Sequence, residues 1–242
     1  MRKLLAVALM TLLPFGAVAQ ELSEDQIKAL ALEAIRENPE IIAEALSVLR
    51  EERNVAEAAA QAEALVRQRA ALESDPNAPF VGNADSETVV VEFFDYNCPY
   101  CKRAADNVKA LIAADDDLRI VYREWPILGD GSEFAARAAL AARAQGKYED
   151  MHWGLMEMRG RAEEASVLAL ARSVGLDVDQ LVADMQSEEV NSHLATSQQL
   201  ARTLGFTGTP AFVIGDALVP GAVPLSDLQG LIADARADEE NN

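Results

Sequence analysis

Two cysteines and two histidines are the whole supply of thiol and imidazole in this chain of 242 residues. With Cys98 and Cys101 as one half of a metal site, the other ligands would have to be His152 and His193. These lie far apart, which is not the spacing of a zinc finger or ribbon, and no metal site is expected. Basic residues are scarce too: 21 Lys plus Arg stand against 40 Asp plus Glu, a net charge of −19. A surface of that sign repels nucleic acid and anionic membranes. Beyond the N-terminal leader no apolar run reaches the roughly 20 residues that span a bilayer, so no membrane insertion is expected. Glycine is missing altogether from residues 22–74, and Pro39 is the one proline there. A stretch so poor in breakers reads as helix.

What is present begins with a leader. Arg2 and Lys3 form a basic start, residues 4–15 an apolar run, and Ala17-Val18-Ala19 a small-x-small cleavage site. This predicts a secretory signal over residues 1–19, a soluble mature chain, and export to an oxidising compartment, the periplasm. Removal of the leader leaves 19 basic against 40 acidic residues, a charge of −21.

Ser23-Glu24-Asp25-Gln26 fits a capping box that opens a helix to about Glu37. Asn38-Pro39 reads as the N-cap and first position of a second helix reaching about Glu73. Ile41, Ala45, Val48, Glu52, Val55, Ala59, Ala62 and Val66 recur in it at alternating four and three residues. One helix cannot bury that stripe against itself. It packs on the following domain or on copies of itself, or stays a solvated tether from residue 55 on. Self-association is the expectation for residues 22–49, where the large aliphatics concentrate.

Composition changes near Asp75, with prolines at 76 and 79. The expected organisation is a signal over 1–19, a helical oligomerisation and linker region over 20–75, and an α/β domain over 76–242. In that domain Val89-Val90-Val91-Glu92-Phe93-Phe94 reads as a buried strand. Residues 99–114 follow as a helix and 118–125 as a strand, a β-α-β unit that implies parallel pairing. Helices over 134–145, 148–158, 163–174, 178–185 and 190–204 come next. Residues 211–214 and 217–219 form a hairpin across Gly215-Asp216, of type I′ or II′. A closing helix spans 225–237, and a disordered tail starts at Asp238.

Between that central strand and its helix stands Cys98-Pro99-Tyr100-Cys101. A thiol at a helix N-terminus meets unpaired N–H groups and the positive end of the dipole, which favour the thiolate. Cys98 is placed to attack a disulfide, and Cys101, one turn later, to resolve the product. A purely structural bridge would close a very short loop and restrain the unfolded chain little. Thr209-Pro210 sits before a strand, where proline is an ordinary turn residue or a cis peptide. Glu92 is a carboxylate inside an apolar strand. It must be paired, protonated with a raised pKa, or led out to solvent. Arg123 and Lys102 are candidates to favour the thiolate electrostatically. His152 and His193 receive no role, and Trp125 and Trp153 read as core or groove walls.

Residues 92–102, together with Gly208-Thr209-Pro210-Ala211-Phe212, resemble the thioredoxin-fold thiol–disulfide oxidoreductases of the DsbA family, and within it the ScsC-like group. The resemblance implies a thioredoxin fold with a helical insertion over about 130–205. It also implies a cis-Pro210 loop beside the cysteines and a redox-active Cys98–Cys101 disulfide with no other cofactor. Glu92 would then accept the proton of Cys101. The substrates would be unfolded or misoxidised proteins, with a membrane redox partner to recharge the site and a homotrimer built on the N-terminal helices. Two departures matter. Tyr100 stands where strong oxidases carry histidine, and Thr209 where they tend to carry valine, which points to an isomerase or reductant. A monomeric dithiol oxidase, a copper(I)-binding thiol protein of metal tolerance and an oligomeric chaperone are the alternatives.

Overall fold

The computed structural model describes residues 22–240, and the expected signal sequence lies outside the described residues. The chain divides into two compact units, Met1–Val55 and Ala56–Asn242. The division falls inside a helix, 20 residues before the change of composition at Asp75.

In the first unit, α1 spans Glu24–Glu37 and begins with the expected capping box. Ser23 Oγ accepts from the Gln26 N–H, and the Gln26 side chain accepts from the Ser23 N–H at 2.9 Å. Asn38 departs from expectation. Its amide Nδ2 donates back to the Ala34 carbonyl at 3.0 Å, so it closes α1 instead of opening α2, which spans Glu40–Glu73. An Asn side chain carries donors as well as an acceptor, and here the orphan carbonyls of the preceding turn win. None of the residues 22–55 is buried; Ile27, Leu30, Ile41, Ile42, Leu46 and Leu49 all stand exposed. No helix among the described residues is long and apolar enough to cross a membrane.

The second unit is built on a five-stranded sheet in the order β1-β3-β2-β4-β5. The strands are β1 Phe80–Gly82, β2 Val89–Phe94, β3 Arg119–Glu124, β4 Ala211–Ile214 and β5 Ala217–Pro220. β2 and β3 are parallel, joined by α3 (Pro99–Ala114); the other pairings are antiparallel. Side chains alternate between faces along each strand. Val90 and Phe94 of β2, Ile120 and Tyr122 of β3, and Phe212 and Ile214 of β4 join one core with α3. The same core takes in the helical block: α4 Asp130–Ala141, α5 Tyr148–Glu157, α6 Glu164–Ser173 and α7 Val178–Asp184. Val89, Val91, Phe93, Val121, Ala211 and Val213 face the other way. They meet Leu200, Ala201 and Leu204 around α8 (Glu188–Thr203), and Ala64, Leu65 and Leu72 of α2. Both faces are therefore covered, which is why β2 reads as an unbroken apolar run. This is a thioredoxin fold with a helical insertion.

The late part of α2 thus packs on the sheet, but through residues beside the predicted stripe: Val66 is 70% exposed while Leu65 is buried. The β4–β5 turn has positive φ at Gly215 and not at Asp216, which leaves type II′ of the two expected types. α9 spans Leu225–Glu240, so the segment from Asp238 to Glu240, expected to be disordered, continues the helix.

Arg123 was not legible as a structural residue. It lies on the α2 face of β3, fully buried, pairs with Asp75 at 2.8 Å and donates to the carbonyls of Ala71 and Leu72. It thereby caps the C-terminal turn of α2 from below. Burial raises the Asp75 pKa, but the hydrogen bond and charge of Arg123 and the Asn77 N–H outweigh it and hold the carboxyl below its ordinary value. Arg123→Ala is expected to cost about 3–5 kcal/mol, because it leaves Asp75 and two carbonyls without their partner. Urea unfolding measures this, and a loss below about 1 kcal/mol would refute the role.

Candidate active site

β2 ends at Phe94, and the next four residues are fixed before the helix starts. The Asp95 carboxylate accepts from the Asn97 N–H at 2.7 Å through one oxygen. Through the other it accepts from Ile127 and Leu128 N–H at 2.8 and 3.0 Å. Asn97 donates through its amide to Ser132 Oγ and the Ala162 carbonyl, and accepts from the Ala162 N–H at 2.7 Å. Both residues are buried. They weld the reactive loop to the loops on either side of it, a task not assigned from sequence. An Asx turn next to a cysteine was the available signal.

Cys98 is the N-cap of α3, with Pro99 at the first helical position. It is 4% exposed, and its thiol donates to the Thr209 carbonyl at 3.2 Å. Its pKa is lowered to about 5, first by the Cys101 thiol as donor, against the opposing effect of burial. The Thr209 side chain and the Cys101 and Tyr100 N–H groups add to the lowering. Cys101 is wholly buried, and its pKa is pushed far up by burial, by its hydrogen bond to Cys98, and by the charges of Cys98 and Glu92. The two thiols of one motif are therefore opposite in character: Cys98 is shifted toward the thiolate, and Cys101 toward keeping its proton.

The acidity of Cys98 gives a direct expectation. Alkylation of the reduced protein should reach half its plateau rate near pH 5 instead of near the usual value of about 8.5. A depressed folded pKa adds stability above the unfolded thiol pKa that is lost as pH falls through about 5. The stability of the reduced chain should therefore rise between those values, and Cys98→Ser should flatten the rise. Half-maximal alkylation at pH 8 or above would overturn the assignment.

The peptide Thr209-Pro210 is cis and leads directly into β4. Pro210 is buried and Thr209 half-buried. Glu92 lies between Val90 and Phe94 on the α3 face, 1% exposed, with Oε1 lacking a protein partner. Burial raises its pKa to about 8. Of the three fates open to it, neither solvent nor a paired charge applies; the raised pKa favours the protonated form and leaves a minor ionised fraction near neutrality.

Tyr100 is 56% exposed beside Cys98, with the Arg103 guanidinium 4.4 Å from its ring centre. Neither candidate cation serves the thiolate. Arg123 is on the opposite face of the sheet, and Lys102 Nζ is occupied by the Met158 carbonyl at 2.6 Å. His152 is buried among aromatic rings and bonded to the Tyr96 hydroxyl at 3.1 Å; burial lowers its pKa to about 3, so it is neutral. His193 faces Glu124 at 2.7 Å in a second buried polar cluster. Trp125 belongs to the α2-side core, and Trp153 is half-buried under Lys109.

With this geometry in place, residues 89–233 match the DSBA-like thioredoxin domain. The chain belongs to that family. It is similar to a thioredoxin-like oxidoreductase from Silicibacter pomeroyi DSS-3, with 60% identity and a TM-score of 0.69 over 70% of this chain and 98% of that one. A linker-deletion variant of Proteus mirabilis ScsC is 28% identical with a TM-score of 0.69, over 91% of this chain and 99% of its own. The ScsC-like resemblance therefore extends beyond the catalytic unit. The Na(+)/H(+) antiporter NhaA 1 of Salinispora arenicola is 28% identical over 166 residues, 67% of this chain. The chain spans about a quarter of the length of the curated relatives it matches.

Proposed function

We propose that the protein is exported to the periplasm and acts there as a disulfide isomerase on misoxidised proteins. The observation that carries this reading is the asymmetry of the two thiols, an acidic Cys98 at the helix N-terminus over a protonated, buried Cys101. The Cys98 thiolate attacks a substrate disulfide, forms the mixed disulfide and expels one substrate thiolate. That thiolate can attack another disulfide of the same substrate, and the thiolate this frees attacks the substrate sulfur of the mixed disulfide and expels Cys98, so the protein leaves unchanged and the bridges have moved. Alternatively Cys101 gives its proton to Glu92 and attacks Cys98. This releases the substrate as a dithiol and leaves the protein oxidised, two electrons passing to the substrate. A membrane partner then restores the dithiol.

The backbone at Thr209-Pro210, facing Cys98, offers an extended client main-chain hydrogen bonds that do not depend on its sequence. The exposed aliphatics of residues 22–55 support self-association, and by resemblance a trimer. A second reading, dithiol oxidase, draws on the lowered Cys98 pKa, since a stabilised thiolate makes the disulfide more oxidising. At about 5 it lies between the values of about 7 and about 3.5 known for thioredoxin and DsbA. Refolding of a scrambled-disulfide protein by the mature chain separates the two. Reshuffling without net thiol change supports the isomerase; oxidation of a fully reduced protein without reshuffling replaces it with the oxidase.

A further inference from the structure

The parallel register sets Tyr122 of β3 directly beside Glu92 of β2, and alternation puts both side chains on the α3 face. Strands so paired lie about 4.8 Å apart. Tyr122 is 0% exposed and Glu92 1%, and each has one polar atom, the Tyr122 hydroxyl and Glu92 Oε1, without a protein hydrogen bond. Two orphaned polar atoms on adjacent buried residues are unusual, since such groups are nearly always satisfied.

The remaining surroundings of Glu92 offer no substitute donor. From β4 its partner is Phe212; its charge reaches Cys101 of α3 and the Tyr96 hydroxyl, and α5 packs the neutral His152 against Tyr122 and Tyr148 against His152. Tyr148 donates to Glu124 at 2.6 Å and Tyr96 is bonded to His152, so both hydroxyls are engaged. Lys102 and Arg123 are held elsewhere. An acid that must take a proton from a thiol has to spend part of its time ionised, and a buried carboxylate with no cation needs a neutral donor. The raised pKa favours the protonated carboxyl, which does not require that donor, and this fits the unbonded state of both atoms.

We infer that Tyr122 is a positioning residue for proton transfer from Cys101: its hydroxyl donates to Glu92 when the carboxylate forms. The inference rests on the reading of Glu92 as the acceptor. The step is balanced. The Cys101 proton moves to Glu92, the Cys101 sulfur bonds to Cys98, and the substrate sulfur leaves as thiolate.

The test measures formation and release of the mixed disulfide with a peptide disulfide, by stopped flow between pH 5 and 9, in the full-length reduced protein. Tyr122→Phe removes one oxygen and keeps the ring in its aromatic cluster. Release is expected to slow about tenfold at neutral pH, the effect of one lost hydrogen bond to a charged group, and its pH profile to move alkaline by about one unit. Formation, which depends on Cys98, should not change. Glu92→Gln should slow release and remove the pH dependence, and Tyr122→Phe added to it should have no further effect. Carboxyl carbon NMR of Glu92 should show the same alkaline shift in Tyr122→Phe. If Glu92→Gln slows release but Tyr122→Phe moves neither profile nor carboxyl titration, the inference fails and the Glu92 reading stands. If Glu92→Gln leaves release unchanged, both fall.

Discussion

Cys98→Ser is expected to abolish exchange with a peptide disulfide, by more than about a thousandfold, whereas Cys101→Ser leaves the attack intact and accumulates mixed disulfides. The first effect follows from the donors gathered at the N-terminus of α3. The Cys101 thiol, the Thr209 side chain and two backbone N–H groups together lower the Cys98 pKa to about 5, and a serine hydroxyl in the same place remains un-ionised. The second follows from burial. Cys101 has no exposure, so an incoming disulfide cannot reach it, and its one accessible reaction is with the sulfur of Cys98. Mass spectrometry of products quenched in acid distinguishes the two variants. If Cys101 is alkylated first in the wild-type protein, or if Cys101→Ser fails to trap substrate, the division of labour between the thiols is wrong.

How far the sequence reveals this site depends on whether each residue's partner is local. Cys98 at a helix N-terminus, the strand before it and the proline after Thr209 are contained within short windows, and hydrophobic periodicity finds them. Asp95 and Asn97 act through residues 32 to 65 positions away, such as Ile127 and Ala162, so their types were visible but their task was not. Tyr122 and Arg123 are neighbours on one strand and serve opposite faces, as alternation predicts, but the partner each meets is set by register and packing that no spacing announces. For that reason the sequence offers Arg123 as a candidate for the thiolate, whereas the fold uses it to hold the end of α2. Asn38 shows the same limit at short range, because the residue between two helices can cap either.

Removing residues 22–55 from the mature chain is expected to leave a folded monomer that keeps simple dithiol chemistry and loses most isomerase activity. An isomerase must hold a misoxidised client through attack, release and renewed attack while staying reduced. Several sites on one assembly raise the thiolate concentration around a bound client, and they hinder an enzyme that oxidises isolated sites. The exposed Ile27, Leu30, Leu46 and Leu49 would supply the apolar surface for such an assembly. The cut must stop at Val55, beyond which the second compact unit begins. A deletion carried on to Ser74 would strip Leu65 and Leu72 from the sheet, about 1.5–3 kcal/mol each, and leave Arg123 buried without its carbonyl partners. Losses of that size rival the whole stability of a domain, so the longer deletion should unfold and would give a false loss of activity. Light scattering gives the mass of the chain cut at Val55, near-ultraviolet circular dichroism its fold, and scrambled-disulfide refolding its activity. A monomeric full-length mature chain, or a folded truncation that reshuffles bridges as fast as the intact protein, would transfer the function to the dithiol-oxidase reading.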